Sequence, residues 1–218
     1  MDNKDYIRDL FKKTLEKYII SEEIKQKNPI GKGRDHIVYD YHADPSKVIK
    51  IAWDNPKTSR PMAWDGNGNV VSKDYTKLDP KHIEMFIEHP NLFPKVFKFT
   101  DKYAIIEKLD IKKTEQEENK LANQLKPYIN GDEIYDSVSF KIYIMLTDKW
   151  SLKRGEYVNL IKKMYEAGED LTLLFKYVRF FKQIIDEIGV LNNKPRFVDV
   201  RKENLGYDKK NNLKLLDF

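Results

Sequence analysis

Three oxygen-bearing side chains near the C-terminus have the types and spacing of a phosphate-handling site. Asp199 and Asn204 lie five residues apart in a segment that reads as a loop, and Asp217 follows Asn204 by 13 residues. The chain between the last two reads as a hairpin turning at Asp208–Asn212, and an antiparallel return of that length brings Asn204 and Asp217 side by side. Hard oxygen ligands so juxtaposed suit Mg²⁺, which usually keeps several waters and takes phosphate oxygens as further ligands. A preceding carboxylate, Asp199, can orient a hydroxyl nucleophile. The plainer alternative is an Asp turn followed by a solvated Asp.

Two features upstream point the same way. Gly31 and Gly33, in GKGRDHIVYD, precede an apolar strand, where bare backbone can approach phosphate oxygens and donate N–H groups to them. Lys50 sits inside the run Val48, Ile49, Lys50, Ile51, Ala52, so strand alternation turns its side chain to the face of Val48. A buried ammonium needs an anionic partner. Glu84 is a candidate, since Glu84 and Glu88 lie on a different face of their helix from Ile83, Phe86 and Ile87. The alternative is an edge-strand lysine reaching water beside a solvated helix face.

The elements that must position these residues follow from periodicity and punctuation. Tyr6, Ile7, Leu10, Phe11, Leu15, Tyr18 and Ile19 predict an opening amphipathic helix. Strand-like runs cover residues 37–41 and 48–52, separated by the turn ADPSK. Residues 54–76 read as a polar excursion, in which DGNGN is a turn: it lacks the sixth-position glycine and acidic twelfth ligand of a calcium loop. Asp79 is placed as an N-cap, Pro80 as the first residue of a short helix ending near His89, and residues 95–99 and 103–109 as two further strands. From Glu115 the pattern turns helical. Its longest stretch, residues 171–188, has Leu174, Tyr177, Val178, Phe181, Ile184, Ile185 and Ile188 on one face and Gly189 as its stop. No internal repeat is visible.

Composition bounds the class. At 40% hydrophobic and 12% aromatic residues, a chain of 218 residues can bury a core, which argues against disorder. The absence of cysteine excludes disulfides, thiolate nucleophiles and cysteine-based zinc sites. No apolar run approaches the ~20 residues that span a bilayer, and the N-terminal residues lack a secretory pattern, so a cytoplasmic location with no membrane partner is expected. The net charge of +5 fits any phosphate-handling protein. Lysines alternate with acids and no arginine-rich arm is present, so nucleic acid is not the expected partner.

Taken together and in order, these residues resemble the protein-kinase superfamily, including its small-molecule kinase relatives. Gly31, Gly33 and Val38 resemble the glycine-rich loop, with His36 where a third glycine often stands; Lys50 resembles the lysine of the third strand, and Glu84 its partner on helix C. YAIIEKL resembles the hinge, with Ile106 as gatekeeper and the backbone of Glu107 and Leu109 meeting adenine. Asp199 resembles the catalytic-loop aspartate, Asn204 the metal-binding asparagine, and Asp217 with Phe218 the start of DFG, at the kinase spacings. Arg201 stands where protein kinases often carry a lysine on the γ-phosphate, while Phe197 and Val198 replace the usual His and Arg. The resemblance implies a bilobal α+β fold: an N-terminal helix over 1–28, an antiparallel sheet lobe with helix C over 29–110, and a reduced, mainly helical lobe over 111–218. It implies ATP and Mg²⁺ as ligands and phosphotransfer to a hydroxyl acceptor, a protein or a small molecule. The chain stops at Phe218, with no activation segment after it. That allows a pseudokinase-type binding module as the alternative, and a basic nucleic-acid-binding protein is the more distant one.

Overall fold

A computed structural model describes residues 28–32, 36–52, 63–64, 70–71, 78, 80–129, 137–146, 151–188, 190–191, 194–195 and 200–216. The architecture is α+β. The chain divides into two compact units, one comprising Met1–Glu84 and Lys95–Lys108, the other Met85–Pro94 and Leu109–Phe218. The expected opening helix and the N-cap Asp79 lie outside the described residues.

The first unit is built on an antiparallel sheet of five strands: β1 (Gly31–Lys32), β2 (His36–Asp40), β3 (Lys47–Ala52), β6 (Val96–Phe99) and β7 (Tyr103–Glu107), in the order β1-β2-β3-β7-β6. The Val- and Ile-rich run KVIKIA takes the central place, as β-branched side chains favour. The expected turn between β2 and β3 closes on Asp44, whose carboxylate accepts from the N–H of Ser46 at 2.9 Å and the hydroxyl of Ser46 at 2.6 Å and pairs with Lys47 at 2.9 Å. Alternation sends Tyr39, Ile49, Ile51, Tyr103 and Ile105 to one face, where they form a buried apolar cluster. Within the expected polar excursion, β4 (Ala63–Trp64) pairs with β5 (Val70–Val71). Strand β7 ends at Glu107 rather than at 109: the Lys108 N–H turns to the Ser46 carbonyl.

The unit boundary falls inside α1 (Pro80–Glu88). Its Ile83 and Phe86 are buried, whereas Ile87, expected on the same stripe, is 61% exposed, because the buried positions advance by three and leave the fourth turned outward.

The second unit holds four helices among the described residues: α2 (Ile111–Leu125), α3 (Val138–Leu146), α4 (Ser151–Glu166) and α5 (Thr172–Ile188). Helix α2 starts four residues before the expected Glu115. Asp110 is its N-cap and accepts from the Lys113 N–H at 3.1 Å. Helix α5 matches the longest apolar pattern, burying Leu174, Tyr177, Phe181, Ile184 and Ile188 as expected and Phe180 besides, with Val178 and Ile185 half-buried. Tyr143 of α3 meets Phe181 edge-on at 6.0 Å. Fully burying such a side chain contributes about 1.5–3 kcal/mol.

The unit closes with a 3₁₀ turn (Lys202–Asn204) and the hairpin β10 (Leu205–Tyr207) and β11 (Leu213–Leu215); β8 (Val190–Leu191) pairs with β9 (Lys194–Pro195). Residues 85–94 join this unit rather than the sheet because they pack on the hairpin: the Leu215 N–H donates to the Leu92 carbonyl at 2.8 Å. No helix among the described residues is long and apolar enough to cross a membrane.

Candidate functional site

In the sheet unit, three of the residues picked out by sequence fall on one cross-strand row. Gly31 pairs with Val38, Val38 with Lys50, and Lys50 with Ala104. Paired residues in an antiparallel sheet present their side chains to the same face, so Gly31, Val38 and Lys50 share the face opposite the Tyr39–Ile49–Ile51 cluster. Val48 and Ile106, themselves paired, lie on that same face. Lys50 is only 9% exposed, in the central strand of the sheet. A Cβ placed on Gly31 would meet only Val38, at 3.7 Å. Glu84 is exposed on α1, and no ion pair between it and Lys50 is present among the described residues.

The chain from Glu107 to Asp110 is unevenly hydrogen-bonded. The N–H groups of Glu107, Lys108 and Asp110 donate to the carbonyls of Lys95, Ser46 and Tyr207 at 2.9, 3.0 and 2.8 Å. Leu109, 7% exposed, has its own N–H and C=O in no hydrogen bond among the described residues. Buried backbone groups are nearly always paired, which sets Leu109 apart from its neighbours.

In the helical unit, Asn204 ends the 3₁₀ turn, half-buried, its N–H donating to the Arg201 carbonyl at 2.9 Å. The hairpin register is Leu205↔Leu215, Gly206↔Lys214, Tyr207↔Leu213. One step further out, the N–H of Leu216 donates to the Asn204 carbonyl at 2.7 Å. The residue just before Asp217 is thus held against Asn204, as the antiparallel return predicts. Arg201 is exposed, with Glu203 at 3.6 Å, a surface pair of small energetic weight.

Three contacts seat this hairpin. Gly206 lies so close to Leu109 that an added Cβ would stand 2.7 Å from the Leu109 Cβ. Tyr207 and Asp110 exchange backbone hydrogen bonds. The Lys214 ammonium, 6% exposed, donates to the carbonyls of Pro90 and Phe93, the latter at 3.2 Å, and lies 3.8 Å from Asp208.

Sequence reasoning missed the polar cluster on α2. Glu117 accepts from the Tyr207 hydroxyl and from Lys176 at 3.2 Å, and the Lys176 ammonium stands 4.2 Å from the Tyr207 ring centroid. Glu118 is buried beside it. The available signal was Asp110: taken as an N-cap, it extends the helix back and turns position 118 inward with Thr114, Leu121 and Leu125.

Gly33, Asp199 and Asp217 lie outside the described residues, and no cluster of three His, Asp or Glu side chains able to hold a metal ion is found among the described ones. No protein-family model, curated protein or solved structure matches this chain.

Proposed function

We propose that this chain is an ATP-dependent phosphotransferase of the protein-kinase-like type, moving the γ-phosphate to a hydroxyl acceptor. The observation that carries the reading is the hydrogen bond from the Leu216 N–H to the Asn204 carbonyl at 2.7 Å, which holds the residue before Asp217 against Asn204. The strand order β1-β2-β3-β7-β6, the row Gly31–Val38–Lys50 and the unpaired backbone edge at Leu109 support it from the nucleotide side.

On this reading Leu109 meets the adenine edge, with Glu107 contributing backbone, and Val38 covers the ring. Gly31 and Gly33 let backbone approach the phosphates, and Lys50 neutralises them, with Glu84 as its orienting carboxylate. Asn204 and Asp217 would hold Mg²⁺, which would supply charge neutralisation at the phosphates. Asp199 orients the acceptor hydroxyl and takes its proton as the oxygen bonds to the γ-phosphorus. The bond to the bridging oxygen breaks and ADP leaves. Arg201 interacts with the transferring group. Most of the rate enhancement in such a site comes from positioning and electrostatics.

The test is incubation with Mg²⁺ and γ-labelled ATP, alone and with cell lysate, beside Asp199→Asn and Asp217→Ala. Label transfer that disappears in both variants supports the proposal. Nucleotide-dependent thermal stabilisation without transfer replaces it with a nucleotide-binding module, and neither stabilisation nor transfer ends the ATP-site reading.

A further inference from the structure

The hairpin that follows Asn204 is gripped by two helices at one side chain. Tyr207 of β10 is 2% exposed. Its hydroxyl donates to one oxygen of Glu117 on α2, and the Lys176 ammonium of α5 donates to the other oxygen at 3.2 Å. The same ammonium stands 4.2 Å from the Tyr207 ring centroid, and that of Lys113, one helical turn before Glu117, stands 4.7 Å from it. Lys113 also donates to the side-chain oxygen of Asn211 in the hairpin turn. A phenol held by a carboxylate that itself binds an ammonium has a fixed direction as well as a strong bond, and a cation against a buried ring gains more than one in water.

The backbone of Tyr207 joins two parts of the proposed site. The Asp110 N–H donates to the Tyr207 carbonyl at 2.8 Å, and the Tyr207 N–H donates to the Asp110 carbonyl at 3.2 Å. The residue after Leu109 is therefore paired to β10. Asn204 immediately precedes the same three-residue strand, with the Leu216 N–H on its carbonyl. Gly206, between them, lies against Leu109 with no room for a Cβ. A shift of Tyr207 passes to Leu109 through Asp110 and to Asn204 through the strand.

We propose that Tyr207 is a positioning residue: the grip of Glu117, Lys176 and Lys113 on its side chain sets the Leu109 edge and the Asn204 turn in a single frame. Its use in catalysis rests on the phosphotransfer reading. A nucleotide that meets Leu109 with its base presents its phosphates correctly to the metal-bearing turn only if edge and turn stay in register. Tyr207 acts through Leu109 and Asn204 and touches no substrate itself.

Amide hydrogen exchange without nucleotide tests the frame, and the binding of adenosine beside Mg-ATP tests its use. Tyr207→Phe keeps the ring and removes the hydroxyl. The amides at positions 110, 207 and 216 are expected to exchange faster together, by about tenfold, the measure of one hydrogen bond, while those of α3 keep the wild-type rate. Adenosine, which needs only the Leu109 edge, binds as it does to the wild type. Mg-ATP, which needs edge and turn together, binds about tenfold more weakly. Glu117→Leu removes the acceptor and reproduces both effects, which decides the matter should Tyr207→Phe not fold; Glu117→Gln keeps an acceptor and recovers part of each. Unchanged exchange at 110 and 216, or acceleration that extends equally to α3, would overturn the frame. Equal weakening of adenosine and Mg-ATP would overturn its role in register. A wild type that binds neither ligand, with the exchange result intact, would sink the phosphotransfer reading and the nucleotide role with it, and uphold the frame.

Discussion

The N–H of Leu216 donates to the carbonyl of Asn204 at 2.7 Å, so Asn204 is positioned by the strand that returns past it as well as by its own turn. That strand is fixed from behind by Lys214, whose ammonium serves Pro90, Phe93 and Asp208. Lys214→Met keeps the length of the stem but leaves the Pro90 and Phe93 carbonyls without this donor. The expected loss is about 1–3 kcal/mol of stability, read from urea unfolding with an unchanged m-value. A variant as stable as the wild type would show the lysine to be dispensable to the seat.

Gly206→Ala tests the other side of the hairpin. The added methyl would stand 2.7 Å from the Leu109 Cβ and 3.4 Å from its Cδ1, inside the range atoms occupy, so β10 or the Leu109 backbone has to shift. Overpacking of this kind costs about 1–3 kcal/mol. Because Leu109 bears the unpaired N–H and C=O, the same substitution weakens ATP binding if the nucleotide uses that edge. A stable protein with unaltered nucleotide affinity would contradict both expectations.

Much of this arrangement was legible in the sequence because it depends on short-range periodicity. Strand alternation alone places Lys50 on the face of Val48, and the 13 residues from Asn204 to Asp217 suffice to predict the hairpin. What escaped depends on partners distant in sequence. Ile87 has the apolar character of a core residue but belongs to the outer side of a nine-residue helix. Glu118 looks like a surface residue in KKTEQEENK until its partners, 20 and 21 residues later, are known. The attachment of residues 85–94 to the hairpin rests on the Leu92 and Pro90 carbonyls, and a backbone acceptor carries no mark in the side-chain pattern.

Lys50→Met separates nucleotide binding from folding. Lys50 is 9% exposed in the centre of the sheet, and methionine fills a similar volume without a charge. The apo protein is expected to stay folded, since methionine keeps the volume of the side chain in the sheet. The rise in Tm that Mg-ATP gives the wild type should vanish. An undiminished nucleotide shift in Lys50→Met would remove this residue from the phosphate site.

Glu118 sets a pH dependence of stability with a definite sign. Its carboxyl titrates near the ordinary 4.5 when unfolded and at about 7 when folded, chiefly through burial. Between those values the native state holds a proton that the unfolded chain has released, so stability falls as pH rises. The contribution is fully present below 4.5, declines through the window and is gone above about 7. At 1.36 kcal/mol per pKa unit its full size is up to about 3 kcal/mol. Asp44 and Asp170 act in the opposite sense, their carboxyls lowered by hydrogen bonds from Ser46 and Thr172, but both are retained in Glu118→Gln and cancel in a comparison. Urea unfolding from pH 4.5 to 7.5 is therefore expected to show wild-type stability declining relative to Glu118→Gln by that amount. A constant difference across the window would mean that Glu118 ionises in the native state as readily as in the unfolded chain, and a wild type that gains on the variant as pH rises would mean that it ionises more readily.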